Sequence, residues 1–260
     1  MVKNIFVFLS LIISMVWSSE SGVLAYRAKK SLEAGRFAKS YSQLEKALLA
    51  TRKESDLLAE GRVLIMMAQI RTQSLDFTLA DSLLSIIRQD ALDTASVVAL
   101  VQAKMALSNA QERYDETIRL SKTVSEEMLD ETPDLLQGYF WREQALALTA
   151  LKKNHEAEPL YKKAKNELPR HKASVVLMFA QAAFFEGRLS EADSLYADAA
   201  VKAIKENNNY ISATILFYRA QIALKQKRNS EAEDFIKRSA QAFELMGLPN
   251  NQKRSEKLIP

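Results

Sequence analysis

Apolar residues return every three to four positions through most of this chain, and short polar breaks interrupt them at a regular interval. That period places one apolar stripe along a helix and leaves the opposite face polar. The clearest stretch is Gly138 to Pro169. It opens with Tyr139-Phe140-Trp141, keeps small and apolar residues at Ala145 and Leu148, and breaks at Lys152-Lys153-Asn154. It then resumes through Ala157, Tyr161 and Ala164 to Pro169. This reads as two amphipathic helices joined by a tight polar turn. β-Branched alternation bounded by Gly or Asn-Gly turns is missing, so no strand is predicted.

Six such helical pairs can be read in order: about residues 22–50, 56–91, 94–130, 138–169, 172–206 and 209–246. Gly187-Arg-Leu-Ser-Glu-Ala-Asp193 returns forty residues later as Lys227-Arg-Asn-Ser-Glu-Ala-Glu233, which marks internal repetition. In each copy a Ser (Ser190, Ser230) stands three residues before an acid, the spacing of a capping box that starts the second helix. Losing either Ser is expected to cost on the order of 1 kcal/mol. Pro159 falls early in a predicted helix, so that helix either starts near Glu156 or bends. Gly247-Leu-Pro249 is a stop signal, and the polar residues 250–260 are expected to fray as a flexible tail.

The fourth pair resembles one tetratricopeptide repeat, a roughly 34-residue helix–turn–helix with an early Trp, a later Ala, an aromatic and a closing Pro. Trp141, Ala145, Leu148, Ala157, Tyr161, Ala164 and Pro169 carry the resemblance, while Gln144 and Lys152 depart from it. The fifth pair is the other strong match, through Phe179, Ala180, Ala183, Gly187, Leu189, Ala192, Tyr196 and Ala199. Thr117 and Ser239 stand where the pattern usually has Ala. The resemblance spans about residues 22–246 and implies an all-α fold, a right-handed α–α superhelix of about six hairpins. It also implies that a concave wall, lined by the first helix of each pair, binds a protein or peptide.

Carried over position by position, that wall takes in Arg62, Ile65, Gln69 and Thr72, then Gln102 and Ala106, then Tyr139, Arg142, Leu146 and Thr149. It continues through Leu177, Gln181 and Phe184 to Thr214, Phe217, Gln221 and Leu224. The selected binding set is Gln69, Gln102, Tyr139, Arg142, Gln181, Phe184, Phe217 and Gln221. Gln69, Gln181 and Gln221 each follow a packing Ala. A row of amides can pair with the backbone of an extended peptide, since each offers donor and acceptor; the plainer reading is Gln as a helix former on a half-wet wall. Phe185 and Trp141 are expected in the core, with Phe184 and Tyr139 as exposed anchors or as core. The Lys and Asn set with which the family's best-known clamp holds a peptide carboxylate is missing.

Composition narrows the class. Six Gly and five Pro in 260 residues favour long helices. The first twenty residues have a secretory layout: Lys3, about twelve mostly apolar residues from Ile5 to Val16, then small residues from Ser18. This predicts a signal peptide over 1–20, cleaved after Ser18 or Ser21, with an uncleaved anchor as the alternative. The protein is then exported, periplasmic or secreted, with no membrane span once the leader is removed. No Cys is present, which excludes a disulfide framework and lipid attachment through Cys. The net charge of +4 comes from interleaved acids and bases, the pattern of a solvated helical surface, not of a nucleic-acid footprint. With two His (His155, His171), no Cys and no phosphate-binding loop, the reading is non-catalytic, without metal or cofactor. The alternative function is a structural subunit of an envelope complex, assembling through convex faces or end helices.

Overall fold

The structure, a computed structural model, describes residues 19–168 and 172–259. Among these residues it is all-helical, with fourteen α-helices and one 3-10 turn at Gln89–Ala91. The expected leader over 1–20 lies almost wholly outside the described residues, as do Pro169 and His171.

Six hairpins follow one another. They are α1 (Glu20–Glu33) with α2 (Phe37–Glu54), α3 (Leu57–Gln73) with α4 (Phe77–Ser85), and α5 (Thr94–Ala110) with α6 (Tyr114–Ser121). A short α7 (Glu126–Asp130) precedes α8 (Asp134–Ala150) and α9 (Asn154–Glu167). Then come α10 (Ala173–Phe185) with α11 (Leu189–Lys205), and α12 (Asn209–Lys225) with α13 (Asn229–Leu245). A last helix, α14, covers Pro249–Glu256.

All six hairpins turn in the same way. The second residue past the first helix adopts left-handed backbone: Gly35, Leu75, Glu112, Lys152, Gly187 and Lys227, with φ between 58° and 83°. The amide of the next residue reaches back to close the helix end, as in Asp76 N to Arg71 O, Lys153 N to Leu148 O and Arg228 N to Ala223 O, each 2.9 Å. This is a Schellman closure, for which Gly is the easy residue. Lys152 therefore adopts the backbone that the repeat pattern reserves for Gly.

Packing repeats as well. Ala28, Ala68, Met105, Ala145, Ala180 and Ala220 occupy one position of the first helices and are fully buried. The fourth residue of each second helix, Ser40, Ala80, Thr117, Ala157, Ala192 or Ala232, is buried against it. Small side chains let the paired axes approach. Where the residue is not Ala, its hydroxyl finds a carbonyl: Ser40 Oγ donates to Ala28 O at 2.7 Å and Thr117 Oγ1 reaches Met105 O at 3.3 Å. A Cβ on Gly138 would lie 2.8 Å from Leu168 Cγ, so the start of α8 meets the residue just past α9 closely enough that a larger side chain needs Leu168 to shift.

Three expectations are corrected. The helices α11 and α13 begin one residue before Ser190 and Ser230, at Leu189 and Asn229, so neither Ser caps them; the residues at the caps, Arg188 and Arg228, make no side-chain cap bond. Both arginines instead pair with Glu191 and Glu231 in the first turn. Helix α9 starts at Asn154, earlier than the alternative start at Glu156, and includes Pro159. The polar tail is helical over Pro249–Glu256. It forms α14 on α13, because Asn251 and Ser255 are buried by hydrogen bonds and Leu248 and Leu258 anchor its two ends.

The described residues form two compact units, one of residues 19–32 and 38–168, the other of residues 33–37 and 172–259. In the first, α3 packs on α5, and α5 and α6 on α8; in the second, α11 packs on α12 and α13 on α14.

Candidate functional site

The eight selected residues all come from first helices, and all are buried, with exposures between 0% and 7%. These helices are apolar nearly all round: α12 buries Tyr210, Ile211, Ala213, Thr214, Ile215, Phe217, Tyr218, Ala220, Gln221, Ile222 and Ala223. A helix of that kind is a core helix, and its predicted ligand face is interior in this structure. Ile65, Thr72, Ala106, Leu146, Thr149, Leu177 and Thr214 are buried too, and Arg62 and Leu224 are half-buried.

Of the two places left open for Tyr139 and Phe184, exposed anchor or core, the structure shows the core, and Trp141 and Phe185, expected in the core, are half-buried. Trp141 carries the Lys163 ammonium 4.3 Å from its ring, an outward cation–π contact. Phe184 packs edge-on against Tyr218 at 5.9 Å, with the Lys225 ammonium 4.9 Å above its ring.

In the first unit, the polar candidates are joined by hydrogen bonds. Gln69 Nε2 donates to Gln102 Oε1 at 3.3 Å, linking α3 to α5. Arg142 pairs with its neighbour Glu143, both side chains almost completely buried, and the guanidinium lies 5.6 Å from the Tyr139 ring. Asn109 Nδ2 donates to both the backbone oxygen and Oε2 of Glu143 at 2.9 Å, and its own Oδ1 accepts from Thr117 Oγ1 at 2.7 Å. Thr117, Asn109, Glu143 and Arg142 thus form one buried chain across α6, α5 and α8. A buried ion pair gains stability from such extra bonds because its desolvation cost is high. Asn109 and Glu143 were not among the sequence candidates. The signal for them was Thr117 in place of Ala, a hydroxyl in a packed seam that needs a polar partner.

In the second unit the amides are open. Gln181 is fully buried, and neither its Oε1 nor its Nε2 has a hydrogen-bond partner; Gln221 Nε2 is buried and without one as well. These amides occupy matching places in two consecutive first helices, each just after a buried Ala and six residues before the left-handed turn residue. Asp193 on α11 receives Arg219 Nε at 2.7 Å, which ties α11 to α12.

Among the described residues, Arg142 and Glu143 are the charged side chains that are buried. His155 is exposed near the start of α9. Among the described residues, no group of three or more His, Cys, Asp and Glu is placed to hold a metal ion. None of the described helices is long and apolar enough to cross a membrane. Burial and Tyr218 raise the Tyr196 phenol well above its usual range, and its hydroxyl has no partner.

No protein-family model matches the chain, and no curated protein is found to be similar to it.

Proposed function

We propose that this chain is an exported, non-catalytic scaffold of tetratricopeptide-like hairpins, wound as a right-handed superhelix, that binds a protein or peptide. The observation that carries the reading is the identity of the six hairpin turns, together with the repeated small-residue seam. Units that repeat in this way bury their apolar faces on one another and build extended binding surfaces. Ligand entry to the first-helix wall requires the buried amides Gln181 and Gln221 to become accessible. Their open hydrogen-bonding capacity then suits the backbone of an extended peptide.

The second reading, assembly through outward faces, is favoured by a different observation. Large apolar side chains stand exposed on second helices: Leu49 on α2, Val201 and Ile204 on α11, and Leu245 at 81% exposure on α13. Val201 and Ile204 stand three residues apart on one face of α11, and neighbouring exposed apolar side chains mark interaction sites.

One pull-down separates the two. The tagged full chain is crosslinked mildly in the exported fraction of its native cell, beside a Gln181→Leu/Gln221→Leu variant and a Val201→Ser/Ile204→Ser/Leu245→Ser variant. A partner lost only with the first variant places binding on the first-helix wall. Loss only with the second places it on the outward helices. A partner set unchanged by both, or no specific partner, defeats the scaffold reading.

A further inference from the structure

We propose that α14 is a self-docked occupant of a helix-binding face on α12 and α13, and that a partner helix of the same chemistry competes with it. This rests on the reading of α12 as a ligand wall and names what the wall takes: a short, hydrophilic, cationic helix bearing Asn and Arg three residues apart.

The face is a stripe. Tyr210, Thr214, Phe217 and Gln221 recur at helical spacing on one side of α12. Three polar contacts seat α14 there. Asn251 and the Tyr210 hydroxyl are hydrogen-bonded, the Arg254 guanidinium lies 4.0 Å from the Phe217 ring, and Ser255 Oγ is 3.0 Å from Ser239 Oγ of α13. One turn past Phe217, the buried Gln221 Nε2 still lacks a hydrogen-bond partner, so the stripe offers more than α14 uses.

What holds α14 differs from what holds its neighbours. Its sequence, Pro-Asn-Asn-Gln-Lys-Arg-Ser-Glu, contains no aliphatic or aromatic side chain beyond the proline. Helix α13 buries Phe235, Ile236 and Phe243. Water can replace hydrogen bonds and a cation–π contact at small net change, but not apolar burial. Among the described residues, Leu248 and Leu258, both outside the helix, add its apolar anchorage. Helix α14 is therefore the segment of this unit most easily opened alone. Once it leaves, the Tyr210 hydroxyl and the Phe217 ring lose their α14 cover, while the Tyr210 ring stays packed on Phe37 and Phe243, a preformed aromatic anchor of the kind found in hot spots.

The chain's lack of cysteine makes the test direct. A fluorescent peptide with the sequence of residues 247–259 is titrated against full-length protein by anisotropy. Arg254→Ala, which loosens the cis helix, is expected to bind the peptide about tenfold more tightly than wild type. The Ser239→Cys/Ser255→Cys variant is expected to bind when reduced and to lose binding when its disulfide tethers α14. Hydrogen exchange of the wild type needs no variant: α14 amides are expected to exchange at least about tenfold faster than those of α13. Peptide binding that is absent throughout or unchanged by the tether overturns the proposal, as do α14 amides as slow as those of α13. Neither result depends on a cellular partner being captured, so failure here and failure of the scaffold reading are distinguishable.

Discussion

Tyr196 and Tyr161 occupy the same place in two second helices and meet opposite fates. Tyr161 shares a hydrogen bond with Thr149 Oγ1 at 3.1 Å, whereas the Tyr196 hydroxyl is buried without a partner, its ring stacked 5.3 Å from Tyr218. Removing an unsatisfied hydroxyl relieves a desolvation cost, while removing a bonded one strands its mate. Tyr196→Phe is expected to raise stability by about 1 kcal/mol and Tyr161→Phe to lower it by about as much, read from urea midpoints. Asp93 supplies a pH dependence. Burial opposes its charge, but hydrogen bonds from Ser96 and the Arg62 guanidinium hold its carboxyl below the ordinary value. A folded pKa below the unfolded one adds stability that is present above about pH 4 and disappears as pH falls through the folded value. Asp93→Asn keeps an N-cap acceptor for α5 and is expected to flatten the wild-type loss of urea midpoint below about pH 4.

At the scale of the element, the turns are the features most open to adjustment. Leu75, Glu112, Lys152 and Lys227 hold a backbone that costs a side-chain-bearing residue roughly 1–2 kcal/mol, while Gly187 holds it freely. Lys227→Gly is expected to raise the thermal midpoint, with a net gain of about 0.5–1 kcal/mol after the greater freedom of the unfolded chain is counted. The six pairs and their turns were legible in the sequence because helical periodicity and polar breaks are local signals. The helix starts α11 and α13 were not: Ser190 and Ser230 have cap chemistry, but Schellman closure fixes where the next helix begins and leaves both inside it. The tail was misjudged for a related reason. Its polar residues give no apolar stripe, and its docking depends on Tyr210, Phe217 and Ser239, which lie far away in sequence.

For the whole molecule, burial decided what sequence could not. Repeat positions identified residues that share one place on the first helices, yet whether Phe184 or Phe185 is the more buried depends on what the helices pack against, which no local pattern records. Export is argued at this scale too. Ser21 is buried, its hydroxyl donating to Glu54 Oε2 at 3.3 Å, and α1 begins at Glu20. Cleavage after Ser21 would remove a packed residue, whereas cleavage after Ser18 leaves α1 whole. On the proposal of export, N-terminal sequencing of the chain from the exported fraction is expected to begin at Ser19; a start at Gly22 would contradict this, and an intact Met1 would favour the anchor.

The shared turn also makes the array adjustable in length. Gly187 and Lys227 sit at the same point of consecutive hairpins with the same backbone, followed by the related runs Arg-Leu-Ser-Glu-Ala and Arg-Asn-Ser-Glu-Ala. Excising residues 187–226 joins Glu186 to Lys227 without altering the local geometry on either side. Circular dichroism of the shortened chain is expected to show helicity per residue unchanged. A chain built this way can gain or lose one hairpin at the turn in a single step, here at the cost of the seat that Tyr210 and Phe217 of the excised α12 supply to α14.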